Sequence, residues 1–238
     1  MQIAIDGPAG AGKSSVAREV GRRLGLKCLD TGAMYRAVTW KALKEGIDIT
    51  NGKLLGQLVR DCNMETEYND KKGTLIYLDG ENVTEKIRSP RVNKNVSIVA
   101  RSPELRRELV FLQRKLAEKS DGIVMEGRDI GTNVLINADY KFYLCASLEE
   151  RAKRRWLEME AKGVDVVFED LIKEIAMRDR IDQEREESPL AIASEAQIID
   201  TTSYTLEEVV EKVLEIVCTA KIKEHREDRI EIFHKEGR

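Results

Sequence analysis

The 238-residue chain is long enough for one large domain, or for a core carrying one or two inserted subdomains. Its 40 basic and 43 acidic residues leave a net charge of −3, so no overall positive field argues for a nucleic-acid partner. The 42% of hydrophobic residues suffices for a buried core, and the 35% of charged residues predicts a surface dense in ion pairs.

Cys28, Cys62, Cys145 and Cys218 lie far apart, with no CxxC spacing and no neighbouring histidine. That pattern argues against zinc and for scattered buried thiols in a reducing compartment. The first residues carry no basic region ahead of an apolar run, and no segment approaches the ~20 apolar residues needed to span a bilayer. A cytoplasmic protein without membrane association is expected.

In chain order, five short apolar runs read as buried parallel strands: 3–6, 27–30, 123–126, 141–145 and 197–200. Most end in, or just before, a polar residue. A helix is predicted over 13–24, where Val16, Val20 and Leu24 repeat every four residues. Between about 47 and 91 the rhythm breaks. Met64–Tyr68 and Thr74–Leu78 flank a polar turn and read as an antiparallel hairpin, with Asp79-Gly80-Glu81 as a second turn. Strands alternating with helices imply a doubly wound parallel sheet that binds ligands beyond its carboxyl edge. The hairpin implies an inserted subdomain. Residues 220–238, almost all charged, read as a solvated helical extension and hold both histidines, His225 and His234.

Gly7-Pro8-Ala9-Gly10-Ala11-Gly12-Lys13-Ser14 fits GxxxxGK[ST] between a predicted strand and a predicted helix, and Ser15 follows. Glycines let successive backbone N–H groups face phosphate oxygens, and the helix points its positive end at the same anion. Lys13 can reach the β- and γ-phosphates, and Ser14 can sit beside Mg²⁺. A bound nucleoside triphosphate follows.

Two further motifs close strands: Leu29-Asp30-Thr31-Gly32-Ala33-Met34-Tyr35-Arg36 and Met125-Glu126-Gly127-Arg128-Asp129-Ile130-Gly131-Thr132. Farther on come Arg151, Lys153, Arg154 and Arg155, then Arg178, Asp182 and Arg185, which fall in a narrow stripe on one helix face, with Arg180 pointing away. Converging arginines suit phosphoryl transfer because the planar guanidinium binds phosphate oxygens bidentately and keeps its charge. Taken singly, helical Arg–Asp pairs are usually surface ion pairs, Asp30 and Asp129 could be helix caps, and Tyr35 a core-edge aromatic. No histidine precedes position 225, so no imidazole base is on offer. An acceptor that is itself a phosphate needs none.

At these residues the chain resembles bacterial cytidylate kinases. The likeness spans 1–217 through IDGPAGAGKSS, LDTGAMYR, GENVTEKIR, EGRDIGT, RDRIDQER with the following SPL, and IIDTT. It implies an α/β fold: a three-layer, doubly wound, parallel five-stranded sheet with an inserted α+β acceptor-binding subdomain and a helical lid. The implied divisions are core 1–36, acceptor domain 37–105 with a hairpin at about 62–80, core 106–154, lid 155–168, core 169–219 and the extension 220–238. The implied roles are cytosine reading by Ser97, Arg106 and Asp129, and acceptor-phosphate contacts from Arg36 and Arg128 with Tyr35. Thr31 is implied beside the acceptor, Arg178, Asp182 and Arg185 on ribose and phosphates, and Arg154 or Arg155 in the lid. Lys13, Arg128, Arg178 and Arg185 would carry catalysis, in a monomer using Mg·ATP and CMP or dCMP.

Other readings are weaker. A GTPase would show NKxD, but Asn93-Lys94-Asn95-Val96 lacks the aspartate. Shikimate fits poorly with the hairpin and Asp182, and AMP with an Arg106–Asp129 pair. UMP stands as the alternative acceptor.

Overall fold

Strand β1 (Gln2–Asp6) is buried along both faces, and the alternation of its side chains divides the interior in two. Ile3 and Ile5 face one helix layer together with Val124, Phe142 and Leu144, while Ala4 faces the other with Leu29, Ile123 and Met125. Such a strand needs cover on both sides, which is why helices flank the sheet. The computed structural model describes residues 1–69, 73–161 and 163–219. The extension 220–238, with its histidines, and the turn at 70–72 lie outside the described residues.

Four more strands run parallel to β1: β2 (Lys27–Asp30), β6 (Ile123–Gly127), β7 (Tyr140–Cys145) and β8 (Gln197–Asp200), in the order β2-β6-β1-β7-β8. The register aligns Asp6 with Gly127 and Asp30 with Glu126, so three carboxylates gather at one edge. One face is covered by α1 (Lys13–Leu24) and a helix over 206–219 (α8), through Val16, Val20, Val210 and Val213. On the other face lie α2 (Thr31–Glu45), α3 (Gly52–Asp61), α4 (Pro90–Val99) and α5 (Pro103–Glu118). Two further helices, α6 (Leu148–Glu160) and α7 (Phe168–Glu184), pack on each other at the sheet's carboxyl edge, where Arg151 of α6 meets Asp179 of α7.

The inserted hairpin is present as β3 (Met64–Asn69) and β4 (Gly73–Leu78), joined antiparallel and followed by the short β5 (Glu81–Asn82). Thr74 docks it on β2, accepting from the Asp30 N–H at 3.0 Å and donating to the Cys28 carbonyl at 3.0 Å. That contact covers an otherwise open sheet edge. Leu55, Ile76 and Val96 share one cluster with Met125, so the insert extends the main core instead of forming its own. The boundaries expected at 36/37 and 105/106 fall inside the unbroken helices α2 and α5, and the lid start at 155 falls inside α6.

Two expectations need correction. Only Cys28 is a buried thiol; Cys62 and Cys145 are half-buried, and Cys218 is exposed. Arg185 does not continue the helical face of Arg178 and Asp182. α7 ends at Glu184, Arg185 is extended (φ −64°, ψ 139°), and Ser188 at φ 49° turns the chain back. The Leu190 N–H then caps the Asp182 carbonyl at 2.7 Å. Pro189, which cannot donate to the helix, explains the stop.

Gly7 shows how closely strand and loop must meet. Its φ is 147°, and an added Cβ would lie 2.0 Å from the Leu144 carbonyl oxygen. Gly80 has φ 79° with nothing within 4 Å of such an atom. We expect Gly7→Ala to cost more than about 3 kcal/mol or to prevent folding, and Gly80→Ala to cost about 1 kcal/mol. Urea unfolding of both variants checks this; equal losses would contradict the packing account.

Candidate active site

The loop after β1 is built to leave donors free. Gly10 (φ 78°) and Gly12 (φ 89°) are left-handed, so the chain can wrap a ligand without Cβ atoms intruding. Gly12 caps α1 without a side-chain hydrogen bond, and no acidic residue sits in the first turn. The helix therefore presents bare N–H groups and its positive pole to an anion. Lys13 is buried, and its Nζ donates to the Pro8 carbonyl at 2.7 Å. Burial, reinforced by Arg128, pulls its pKa down to about 7.

Ser14 Oγ donates to Glu126 Oε1. Burial, aided by Asp30, holds Glu126 above the usual carboxylate range. A hydroxyl beside a carboxylate is an oxygen set that fits a hard cation such as Mg²⁺. Arg151 braces the loop from α6: its Nη1 reaches the Ala9 carbonyl at 3.1 Å and Asp179 at 2.5 Å, and its Nε reaches the Ala146 carbonyl at 3.0 Å. Arg154 binds the Thr201 carbonyl at 2.6 Å and its hydroxyl at 3.0 Å, while that hydroxyl donates to Ala11 at 3.3 Å. Arg155 pairs with Glu158 on the same helix at 3.0 Å. Arg154, then, is the one seated against the loop. Ser15 is half-buried beside them.

Across the cleft, three helices and strands deliver arginines that outnumber their counter-ions. Arg128 follows β6 and donates to Asp182 Oδ2 at 2.8 Å. Burial alone would raise the Asp182 carboxyl, but Arg128 outweighs it and holds the group below its ordinary value. Arg36 on α2 and Arg178 on α7 form no salt bridge among the described residues, and Arg178 Nε is buried without a partner. Burial depresses the pKa of both; for Arg178, repulsion from Arg128 and Arg36 adds to it and takes the value to about 10. Asp30 and Glu126 act the other way on Arg36, and Asp182 and Glu174 on Arg178, but neither arginine is tied up in a salt bridge among the described residues, and such guanidinium groups suit phosphate oxygens.

Beside them lies a buried pair. Arg106 of α5, 2% exposed, donates to Asp129 Oδ2 at 2.7 Å and stacks over the Tyr35 ring at 5.3 Å. Asn133 donates to the same oxygen at 3.0 Å, and Arg185 lies 3.6 Å from Asp129 Oδ1 and 3.8 Å from Asp182 Oδ1. Arg185 is held there by its Nε, which donates to the Ser188 carbonyl at 2.6 Å. Tyr35 Oη, Arg106 Nε and Arg185 Nη2 are buried without hydrogen-bond partners. Tyr35 thus stands under Arg106, not with the phosphate arginines.

Thr31 commits its hydroxyl to the Glu126 carbonyl at 2.8 Å, and Asp30 caps α2 by accepting from the Ala33 N–H at 2.9 Å. Ser97 is half-buried on α4, one turn before Ala100, whose carbonyl accepts from Arg106 at 3.3 Å. Sequence reasoning assigned no role to Asp6, Glu126, Arg151, Asp179 or Thr201. Asp6, Glu126 and Thr201 could have been flagged as polar residues at or just beyond strand ends; Arg151 stood out only as a member of a basic run, and nothing local marks Asp179.

The cytidylate kinase family model matches residues 3–219. Cytidylate kinases from Alkaliphilus oremlandii and Bacillus subtilis are each 49% identical over 91% of this chain, covering 97% and 96% of their own lengths. One from Caldanaerobacter subterraneus is 48% identical over 91% of this chain and 94% of its own. The chain belongs to the cytidylate kinase family.

Proposed function

We propose that the chain transfers the γ-phosphoryl group of ATP to CMP or dCMP, as a cytoplasmic monomer acting on small-molecule substrates. The observation that carries this reading is the cluster of Arg36, Arg128 and Arg178, which among the described residues has only Asp182 for a salt-bridge partner and lies by the anion-ready loop, with Arg128 and Arg178 both acting on Lys13. Two anionic groups, one from each substrate, would complete the charge balance. No helix among the described residues is long and apolar enough to cross a membrane.

The chemistry follows from where charge develops. The attacking oxygen belongs to a phosphate and is already anionic, so positioning and electrostatic stabilisation suffice. Lys13 and the α1 N–H groups hold the donor phosphates, and Arg36 and Arg128 hold the acceptor. Arg178 and Arg185 stabilise charge on the group in flight, in a site whose low dielectric strengthens each contact. Mg²⁺ arriving with ATP, when bound, neutralises phosphate charge as a Lewis acid. Ser14, with Glu126 beside it, is the residue that would hold it. We read 155–168 as the lid, with Arg154 following the phosphates when it closes and excludes water.

Cytosine would be read by the buried pair. The Asp129 carboxylate accepts from the exocyclic amino group, and Arg106 donates to N3 and O2. Ser97 on α4 and the unpartnered Tyr35 Oη and Arg106 Nε add polar capacity to that pocket. Uracil would turn a carbonyl toward Asp129 and leave an acceptor unpaired, at about 1–3 kcal/mol.

A steady-state panel of CMP, dCMP, UMP and AMP with Mg·ATP tests the assignment. CMP or dCMP should lead UMP in kcat/KM by at least about tenfold, and parity would overturn the cytosine reading. Lys13→Ala should lower kcat by about 100- to 1000-fold. A second prediction concerns protons. Free Lys13, near pKa 7, is mostly neutral at pH 8, and bound phosphates must raise it. ATP binding at pH 8 should therefore take up protons, seen calorimetrically as a heat that depends on buffer ionisation. A buffer-independent heat would contradict the state assigned to Lys13.

A further inference from the structure

The turn that carries Asp129 is held from outside at both of its ends. After β6 the chain enters a wide helical turn, Ile130–Val134, with Asp129 at its start. Its internal bonds run from the Asn133 and Val134 N–H groups to the Asp129 carbonyl, and from the Leu135 N–H to the Ile130 carbonyl. These fix the turn's own shape but not its place in the molecule.

Asp6 fixes the leading end. It is the last residue of β1, one step before Gly7, and is 4% exposed. Its Oδ1 accepts from the Ile130 N–H at 2.8 Å and its Oδ2 from the Gly131 N–H at 2.7 Å. Both oxygens are occupied by main-chain donors, so Asp6 is not set up as a base toward a substrate. Burial raises its carboxyl to about 6, and the two N–H groups with nearby Lys13 act the other way, favouring the ionised form that accepts both bonds.

Arg114 fixes the trailing end. It lies on α5 two turns after Arg106 and is exposed. Its Nη2 donates to the Asn133 carbonyl at 2.5 Å and its Nε to the Val134 carbonyl at 3.2 Å. The same helix thus grips Asp129 through Arg106 and the far end of its turn through Arg114. Between the two anchors, the Asn133 side chain closes back on Asp129 Oδ2.

We propose that Asp6 and Arg114 are positioning residues that set the Asp129 carboxylate for cytosine, tying the base-reading turn to the strand that carries the phosphate loop. The inference rests on reading Asp129 as the acceptor for the cytosine amino group. Neither residue touches a substrate. They act by denying the turn a shift, because displacement of the turn misaligns a hydrogen bond that weakens steeply with angle.

Steady-state kinetics on Asp6→Asn, Arg114→Gln and Arg114→Lys test it. The Asn amide can accept one N–H but sets its own NH₂ against the other, and Gln at 114 cannot span both carbonyls. Asp6→Asn and Arg114→Gln should each raise KM for CMP by about 3- to 10-fold and narrow the CMP-to-UMP ratio of kcat/KM by a similar factor. In Arg114→Gln the KM for ATP should stay within about twofold, since the lost hydrogen bonds lie at the far end of the turn, away from the donor loop. Lysine at 114, able to reach one carbonyl, should restore part of the loss.

Unchanged KM for CMP and unchanged selectivity in Arg114→Gln would overturn the proposal, as would a rise in that variant's KM for ATP equal to that for CMP. Arg114 is exposed, so its variants decide the matter even where Asp6→Asn does not fold. A wild-type enzyme without preference for CMP over UMP would instead break the reading of Asp129. Retained preference with an indifferent Arg114→Gln breaks only the positioning claim.

Discussion

Buried guanidinium groups that repel one another and form few salt bridges among the described residues crowd the carboxyl edge of this sheet. Arg36, Arg128 and Arg178 converge from α2, from the end of β6 and from α7, with Asp182 as the one carboxylate salt-bridged among them. Burying cations costs free energy, and on the proposed reading substrate phosphate would offset that cost. Burial depresses the pKa values of Lys13, Arg36 and Arg178, and repulsion among neighbouring cations adds to it. What keeps the cations in place is the scaffold: helices stapled across the sheet by two separate apolar clusters.

The neighbouring base pocket obeys a different rule. There Arg106 is balanced by Asp129, supported by an aromatic ring and anchored to the Ala100 carbonyl. A charge pair that stays buried can discriminate between hydrogen-bonding patterns, because the wrong base leaves one member unpaired. On the proposed reading, phosphate binding falls to the arginine array and base reading to the Arg106–Asp129 pair, and Arg185 touches both through Asp129 and Asp182.

Much of the frame was legible because it depends on local periodicity. The five parallel strands, helix α1 and the hairpin follow apolar runs, four-residue spacing and turn residues, and they match to within about two residues, the usual margin for helix and strand ends. The phosphate loop was legible for the same reason, since eight contiguous residues carry it. Arg185 was misread as helical because the signal that ends α7, Pro189 with Ser188, lies beyond it, and a helix face was extrapolated one residue too far. The resemblance implied Tyr35 beside Arg36 and Arg128 at the acceptor phosphate; its ring lies under Arg106, a contact that sequence spacing does not reveal. Asp6 was legible only as a polar residue ending a strand, and Arg114 not at all; the anchoring contacts of both were hidden. Their partners are main-chain groups more than a hundred and about twenty residues away, and such contacts leave no pattern in composition or spacing.

If unbalanced buried arginine is what the acceptor site is built upon, phosphate and not the nucleoside should relieve it. Thermal unfolding in the presence of saturating CMP, cytidine or buffer alone measures this directly. CMP should raise Tm by several degrees, on the order of 2–3 kcal/mol of linked stabilisation, and cytidine should leave it nearly unchanged. Equal stabilisation by cytidine and CMP would contradict the account, because the base pocket alone would then supply the binding.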